Sequence, residues 1–270
     1  MAASEQYTTS IAIKTLRNFG RAAGGAVVFS LPMLMTMEFW GEGMKFSSAR
    51  LLLLVVFSLP VLVLLSQYIG FERTNCWFDD IFDTVVAIGI SAVICILVLM
   101  LFGVLEVGMP IYEWGTRVSV QLVPASLGAL LARSQFSSKP ITSDVKTEFE
   151  PYGREMFFML IGAIFLGLNI APTDDLLLIA FQITPLQVLL LLLASILAMH
   201  SFVFSVDFRG GTSLSHKGNG WSSFVRLTLP GYIIALAISF CFLWLFHRTD
   251  SLNFTVAIYA TIVLAFPCSI

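Results

Sequence analysis

Two stretches of this sequence close an apolar run with a threonine and an acid. One is Gly25–Glu38, which ends Leu31-Pro32-Met33-Leu34-Met35-Thr36-Met37-Glu38; the other is Gly162–Asp175, which ends Ala171-Pro172-Thr173-Asp174-Asp175. At an offset of 137 positions and without a gap, Gly25, Ala26, Leu31 and Thr36 meet Gly162, Ala163, Leu168 and Thr173, and Glu38 meets Asp175. Carboxylates gathered at the outer ends of two apolar helices would attract cations and select for them. Glu38 would stand at a helix C-terminus, where the backbone dipole disfavours negative charge. The plainer reading is that Glu38 ends its helix in water and that Thr173 opens a short helix with Asp174 and Asp175 in its first turn. Pro32 and Asn169 also match at this offset. Pro32 frees a backbone carbonyl and Asn169 brings an amide to lipid depth, which suits a water-lined path or a kink packed on a neighbour.

Three further groups carry chemistry. Asp79, Asp80 and Asp83 cluster at the inner end of the third apolar run. They would gather cations at an inner mouth, pair with Arg73 and Arg154, or simply suit a helix N-terminus. His200, with Ser195, Ser201 and Ser205 nearby, is a proton-relay or metal candidate. No second ligand stands four residues either side, where Ile196 and Phe204 sit, so a hydrogen bond to a neighbouring helix is the alternative. Gly24, Gly25 and Gly162 read as sites of close helix packing. Cys76, Cys95, Cys241 and Cys268 lack metal-ligand spacing. No nucleotide-binding, zinc-protease or serine-hydrolase motif occurs, so neither an enzyme nor a cofactor is expected.

These residues must be positioned by membrane helices. The chain has 270 residues, of which 57% are hydrophobic and 12% charged, with mean hydropathy +0.89. Soluble domains carry about 25% charged residues. Apolar runs of roughly 18 residues or more read as membrane spans, and the runs here are continuous, unlike the alternating strands of a β-barrel. The expected spans are 22–38, 51–69, 81–105, 115–132, 157–172, 183–205, 227–246 and 253–270. The fourth carries Arg117, Ser119, Gln121 and Pro124, and a half-inserted helix is its alternative. With the N-terminus inside, eleven of the fifteen Lys and Arg fall on the inner side, as the positive-inside rule requires. A net charge of −2 gives no sign of nucleic acid. No small-residue cleavage site follows residues 1–20, so no cleaved signal peptide is expected.

The fold class expected is therefore all-α: a polytopic membrane protein of about eight transmembrane helices in two parallel four-helix repeats. Residues 1–20 form a cytoplasmic segment, 21–135 the first repeat, 136–156 a cytoplasmic linker and 157–270 the second repeat. Further echoes support the duplication. Ser58 meets Ser195 at the same offset; Val120, Pro124 and Ser126 meet Val263, Pro267 and Ser269 at 143; Ile90-Ser91 resembles Ile238-Ser239. An even number of spans per repeat gives parallel repeats, with the pseudo-twofold axis along the membrane normal. The first helices of the two repeats, which carry the small residues, breakers and terminal acids, are expected at the centre.

Through Leu31-Pro32-x-x-x-Thr36-Met37-Glu38, Ala171-Pro172-Thr173-Asp174-Asp175, Phe208-Arg209-Gly210 and Phe266-Pro267-Cys268-Ser269-Ile270 the chain resembles a bacterial family of uncharacterised integral membrane proteins. The resemblance covers most of the chain and implies a membrane fold without an activity. Members continue past the last motif, so the final helix is expected to be truncated at Ile270. The location expected is the bacterial inner membrane. The partners are the lipid bilayer and a small ion as substrate, with a homo-oligomer as the expected assembly. The function expected is a channel or transporter for a small ion, a cation before an anion. The alternatives are a structural or sensory protein that binds a partner through loops 133–156 and 206–222, and a lipid-acting enzyme using His200 or the Asp79–Asp83 cluster.

Overall fold

A computed structural model describes residues 19–33, 36, 47–69, 77–135, 151–205, 224–250 and 252–269. Glu38, the side chain of Asp79 and most of the 133–156 and 206–222 loops lie outside them. No strand occurs among the described residues. The chain divides into two units, Met1–Pro140 and Ile141–Ile270.

The first unit holds α1 (19–33), α2 (Ser48–Ile69), α3 (Trp77–Leu101) and α4 (Ile111–Gln135). The second holds α5 (Pro151–Ile170), the short α6 (Asp174–Gln182), α7 (Pro185–Ser205), a π-helical turn (Phe224–Thr228) running into α8 (Leu229–Leu245), and α9 (Phe254–Cys268). Among the described residues, four helical segments, Ser48–Gln67, Asp80–Leu101, Tyr152–Ile170 and Phe224–Leu245, are long and apolar enough to cross a membrane by length and composition. Four of the eight expected runs meet both tests within the described residues. α4 is long enough, at roughly 37 Å, but carries Glu113, Arg117 and Gln121; α9 has 15 residues.

Several boundaries move. The described helical residues of α1 run to 33, and Thr36 lies outside the helix. α5 begins at Pro151, inside the expected linker; proline suits the first helical position because its missing N–H would be unpaired there anyway. α3 ends at Leu101 rather than 105 because Gly103 adopts φ +70°, the left-handed conformation that glycine takes at little cost. Val104 N–H then donates to Leu99 O and Gly103 N–H to Met100 O, a Schellman closure. α8 closes in the same way: Arg248 N–H donates to Leu243 O and His247 N–H to Trp244 O. Here His247 takes the left-handed position at φ +59°.

In each unit the fourth long helix is the hub. α4 packs on α2 and α3, and it meets α1 at backbone contact. A Cβ on Gly25 would lie 2.2 Å from Ala132 Cβ and 2.4 Å from Gly128 O. Ala22, Ala26, Ala125, Ala129 and Ala132 extend this small-residue seam and are fully buried, the packing that membrane helices use where no hydrophobic force separates them from lipid. Gly24 and Gly162, also expected to pack closely, would place a Cβ in open space. In the second unit α9 packs on α5, α6, α7 and α8. Among the described residues, α4 and α9 thus join the other helices of their own units.

The opposite faces are apolar and exposed. On α7, Leu186, Leu189, Leu190, Leu193 and Leu197 form one exposed stripe. Leaving five such side chains in water forgoes roughly 1.5–3 kcal/mol each, a sum comparable to the whole stability of a domain. Surfaces of this kind fit hydrocarbon.

Candidate functional site

The two threonine turns at the ends of α1 and α5 have the same local geometry. Thr36 donates its backbone N–H to Met33 O at 3.3 Å and its hydroxyl to the same carbonyl at 2.9 Å. Thr173 does both to Ile170 O, at 3.0 and 2.7 Å. Each threonine thus satisfies a carbonyl at the end of a helix, where the ladder supplies no donor. Thr173 is the N-cap residue of α6, yet its hydroxyl turns back to α5 and makes no cap bond forward. Asp174 and Asp175 occupy the first turn of α6, where the dipole favours them.

The two aspartates differ. Arg248, at the end of α8, pairs through Nη1 with Asp174 and donates through Nη2 to Pro172 O. Asp175 is exposed. The arginine side chain is 11% exposed and that of Asp174 is 68% exposed, so most of the clamp's value lies in the carbonyl and not in the ion pair. Asp174→Asn should cost below about 1 kcal/mol, whereas Arg248→Met should cost about 2–3 kcal/mol by leaving that carbonyl without its charged donor. Thermal midpoints of the two variants check this; equal shifts would remove the clamp.

The other matched pair separates. Pro32 is exposed on α1, while Asn169 is half-buried and spends its amide on its own helix, donating to Phe165 O at 2.8 Å.

Along the buried face of α3 run Asp80, Thr84, Ser91 and Cys95, spaced three or four residues apart around Ala87. Thr84 donates to Asp80 O at 2.8 Å, and Asp83 is half-buried beside them in sequence. Such a line on an apolar span is unusual, because polar groups at lipid depth persist only with internal partners or a role. Opposite Cys95, α4 presents Gln121: Cys95 Sγ lies 3.7 Å from its backbone oxygen, and its side-chain Nε2 donates to Ser30 O on α1 at 2.9 Å. Gln121 thereby joins three helices.

In the second unit His200 Nδ1 meets Thr228 Oγ1 at 3.0 Å, and the ring stands edge-on to Phe224 at 5.3 Å. Both partners belong to the π-helical turn, a local irregularity often found where a side chain needs to be aimed. Ser195 is fully buried and donates to Leu191 O at 2.6 Å; Tyr232 lies beside it without closing a hydrogen bond of ordinary geometry. No group of three His, Cys, Asp or Glu fit to hold a metal occurs among the described residues.

The sequence presents Gln121 only among the polar residues of the fourth run, with Arg117. The usable signal was Pro124 beside them in the pattern: a proline, a glutamine and an arginine in one long helix require inward-facing partners.

Helices with buried polar lines and exposed leucine stripes define a polytopic α-helical membrane protein. The family described as "Putative integral membrane protein (DUF2391)" matches residues 18–270, and the chain belongs to it. No curated protein and no solved structure matches the chain.

Proposed function

We propose that the chain is a channel or transporter for a small ion, a cation in preference to an anion. It has eight crossings in two parallel four-helix repeats and a cytoplasmic N-terminus in the bacterial inner membrane, and it works without a cofactor or catalytic centre. Two copies would assemble through the small-residue surface left on α1 and α5. The observation that carries the reading is the pair of threonine turns, each bonded twice to the carbonyl three residues back. The matched acids Glu38 and Asp175 follow two residues later. With Asp174 engaged by Arg248, Asp175 is the acid left open to attract an ion. The shared Schellman ends of α3 and α8 support the duplication, as do the complete burial of Ser91 and Ser239. The alternatives lean on loops outside the described residues or on His200, whose Nδ1 is already engaged by Thr228.

The test is flux of potassium, sodium, protons and chloride, read separately, from liposomes holding the purified chain. Cation flux should fall at least about tenfold in Glu38→Gln, Asp175→Asn, as expected when roughly 1.4 kcal/mol of favourable charge is lost along the path. Unchanged flux in that variant would remove the acids from the mechanism; no flux of any ion would remove the reading.

A further inference from the structure

Three helices of the second unit bring methionine ends together at one glycine. α8 packs on α5 and on α7. A Cβ on Gly231 of α8 would lie 2.3 Å from Met199 Cε, which comes from α7, and 2.7 Å from Met159 Sδ, which comes from α5. The tips of two methionines from different helices thus fill the space that the missing side chain leaves. Met199 is buried in a cluster with Val203, Leu227 and Tyr232, and both Met156 and Met159 pack against that cluster. Met156 precedes Met159 by three residues, so the two stand one turn apart on the same face of α5. Three thioether sulfurs therefore line one small region. Tyr232 shares it; its hydroxyl is buried and meets no hydrogen-bond partner among the described residues. Buried polar atoms are left unpaired at a rate of only a few per hundred residues, so the contacts of this cluster do not complete it.

We propose that Met159 and Met199, with Met156 one turn away, form a binding site for a soft monovalent metal ion, Cu(I) or its analogue Ag(I). The chemistry follows from the sulfurs. A thioether is neutral and polarizable; it selects soft ions such as Cu(I), whereas magnesium and calcium prefer oxygen ligands. It has no proton to lose, so the site forms without the deprotonation that a thiolate site requires. Methionine has three rotatable bonds, so each tip can turn a sulfur lone pair toward an ion without moving a helix. Met159 lies about two turns from the start of α5, and Met199 about two turns from the end of α7. With the N-terminus inside, as proposed above, both of those ends are cytoplasmic, and the cytosol is reducing, which keeps copper as Cu(I). The site deepens the transport reading by naming a soft cation as the cargo, and it rests on that reading for its purpose.

The first unit has no sulfur at the matched positions. At the offset of 137, Met199 meets Leu62 and Met159 meets Ala22, and both of these are buried. Apolar side chains without sulfur thus serve packing at these places. Leucine is close to methionine in volume, and such swaps are the best tolerated in a core. Met159→Leu and Met199→Leu should each move the thermal midpoint by less than about 5 °C.

The experiment is a magnetic-resonance titration of the full chain in detergent, carrying isotope-labelled methionine methyl groups, with silver nitrate in chloride-free buffer. The two leucine variants assign the methyl signals of Met159 and Met199. Both signals should shift together and saturate at one silver ion per chain, while potassium and zinc at the same concentration leave them in place. In Met159→Leu the Met199 signal should need at least about tenfold more silver, and the Met159 signal should do the same in Met199→Leu. Signals that do not move overturn the proposal. An unchanged titration of either methionine in the absence of the other overturns it as well, because the two would then bind separately. Equal shifts with zinc or potassium would overturn the choice of a soft ion. Coupled shifts without flux of any ion, silver included, would support the site and remove transport; flux without coupled shifts would overturn the site and leave transport standing.

Discussion

Gly128→Ala should be among the most damaging single-methyl changes in the chain. The new Cβ would lie 2.4 Å from Phe29 Cβ and 2.6 Å from Gly25 O. Both atoms are fixed to the α1 backbone, so no side chain can swing aside. Restoring a carbon–carbon separation of about 3.5–4.0 Å moves α1 away by more than 1 Å. That movement also breaks the bond from Gln121 to Ser30, which crosses the same seam at 2.9 Å. Overpacking costs about 1–3 kcal/mol and the lost hydrogen bond about 0.5–1.5 kcal/mol, against a total stability on the order of 5–15 kcal/mol. The midpoint should fall by roughly 10 °C and the yield of monodisperse protein with it. Gly25→Ala should do the same, and the double variant should add little, because both changes open one contact. Gly162→Ala is the control: nothing lies within 4 Å of its Cβ, and alanine gains up to about 1 kcal/mol of helix propensity over glycine. Equal midpoints for Gly128→Ala and Gly162→Ala would show that α1 and α4 do not cross here.

That contrast marks what the sequence could and could not carry. Continuous apolar runs announce membrane helices, because lipid forces every backbone group to pair within its own segment. The echo of Thr36 in Thr173 was legible as well, since a threonine at a fixed distance past a helix end bonds locally and needs no knowledge of the fold. Which of Gly24 and Gly25 meets a neighbour was not legible: the two stand 100° apart on one helix, and only the position of α4 decides. The same holds for α4 itself. Arg117, Gln121 and Pro124 make it look half-inserted, yet all three are buried. Hydropathy counts polar atoms without knowing whether they face lipid or another helix. The end of α8 shows a further limit. Gly103 signals the stop of α3, but His247 performs the same turn at φ +59°, and histidine carries no such signal.

Arg117→Met should destabilise the first unit by about 2 kcal/mol, and the reason lies in which of its partners is buried. Arg117 is 8% exposed; its Nη2 stands 3.8 Å from Glu113 Oε2, on a side chain that is 37% exposed. At that distance and exposure the ion pair contributes well under about 1 kcal/mol, so Glu113→Gln should be nearly silent. The stronger contact is Nη1 on Val104 O. Val104 is the residue whose N–H closes the Schellman end of α3 onto Leu99, and its side chain is buried with Leu99 and Leu105. Arg117 therefore ties the start of α4 to the turn that ends α3, and methionine would leave that carbonyl without its charged donor. Lysine should restore less than half of the loss, because a point charge on a flexible stem does not replace a planar fork that reaches two partners. The opposing effect is desolvation: replacing a buried charge by an apolar side chain can stabilise by about 1–4 kcal/mol when no partner is stranded. Here one partner is a buried carbonyl, and the loss should win. A higher midpoint for Arg117→Met would reverse that balance and show that the arginine is kept at a cost to stability, which would direct attention to a role for the start of α4 other than folding.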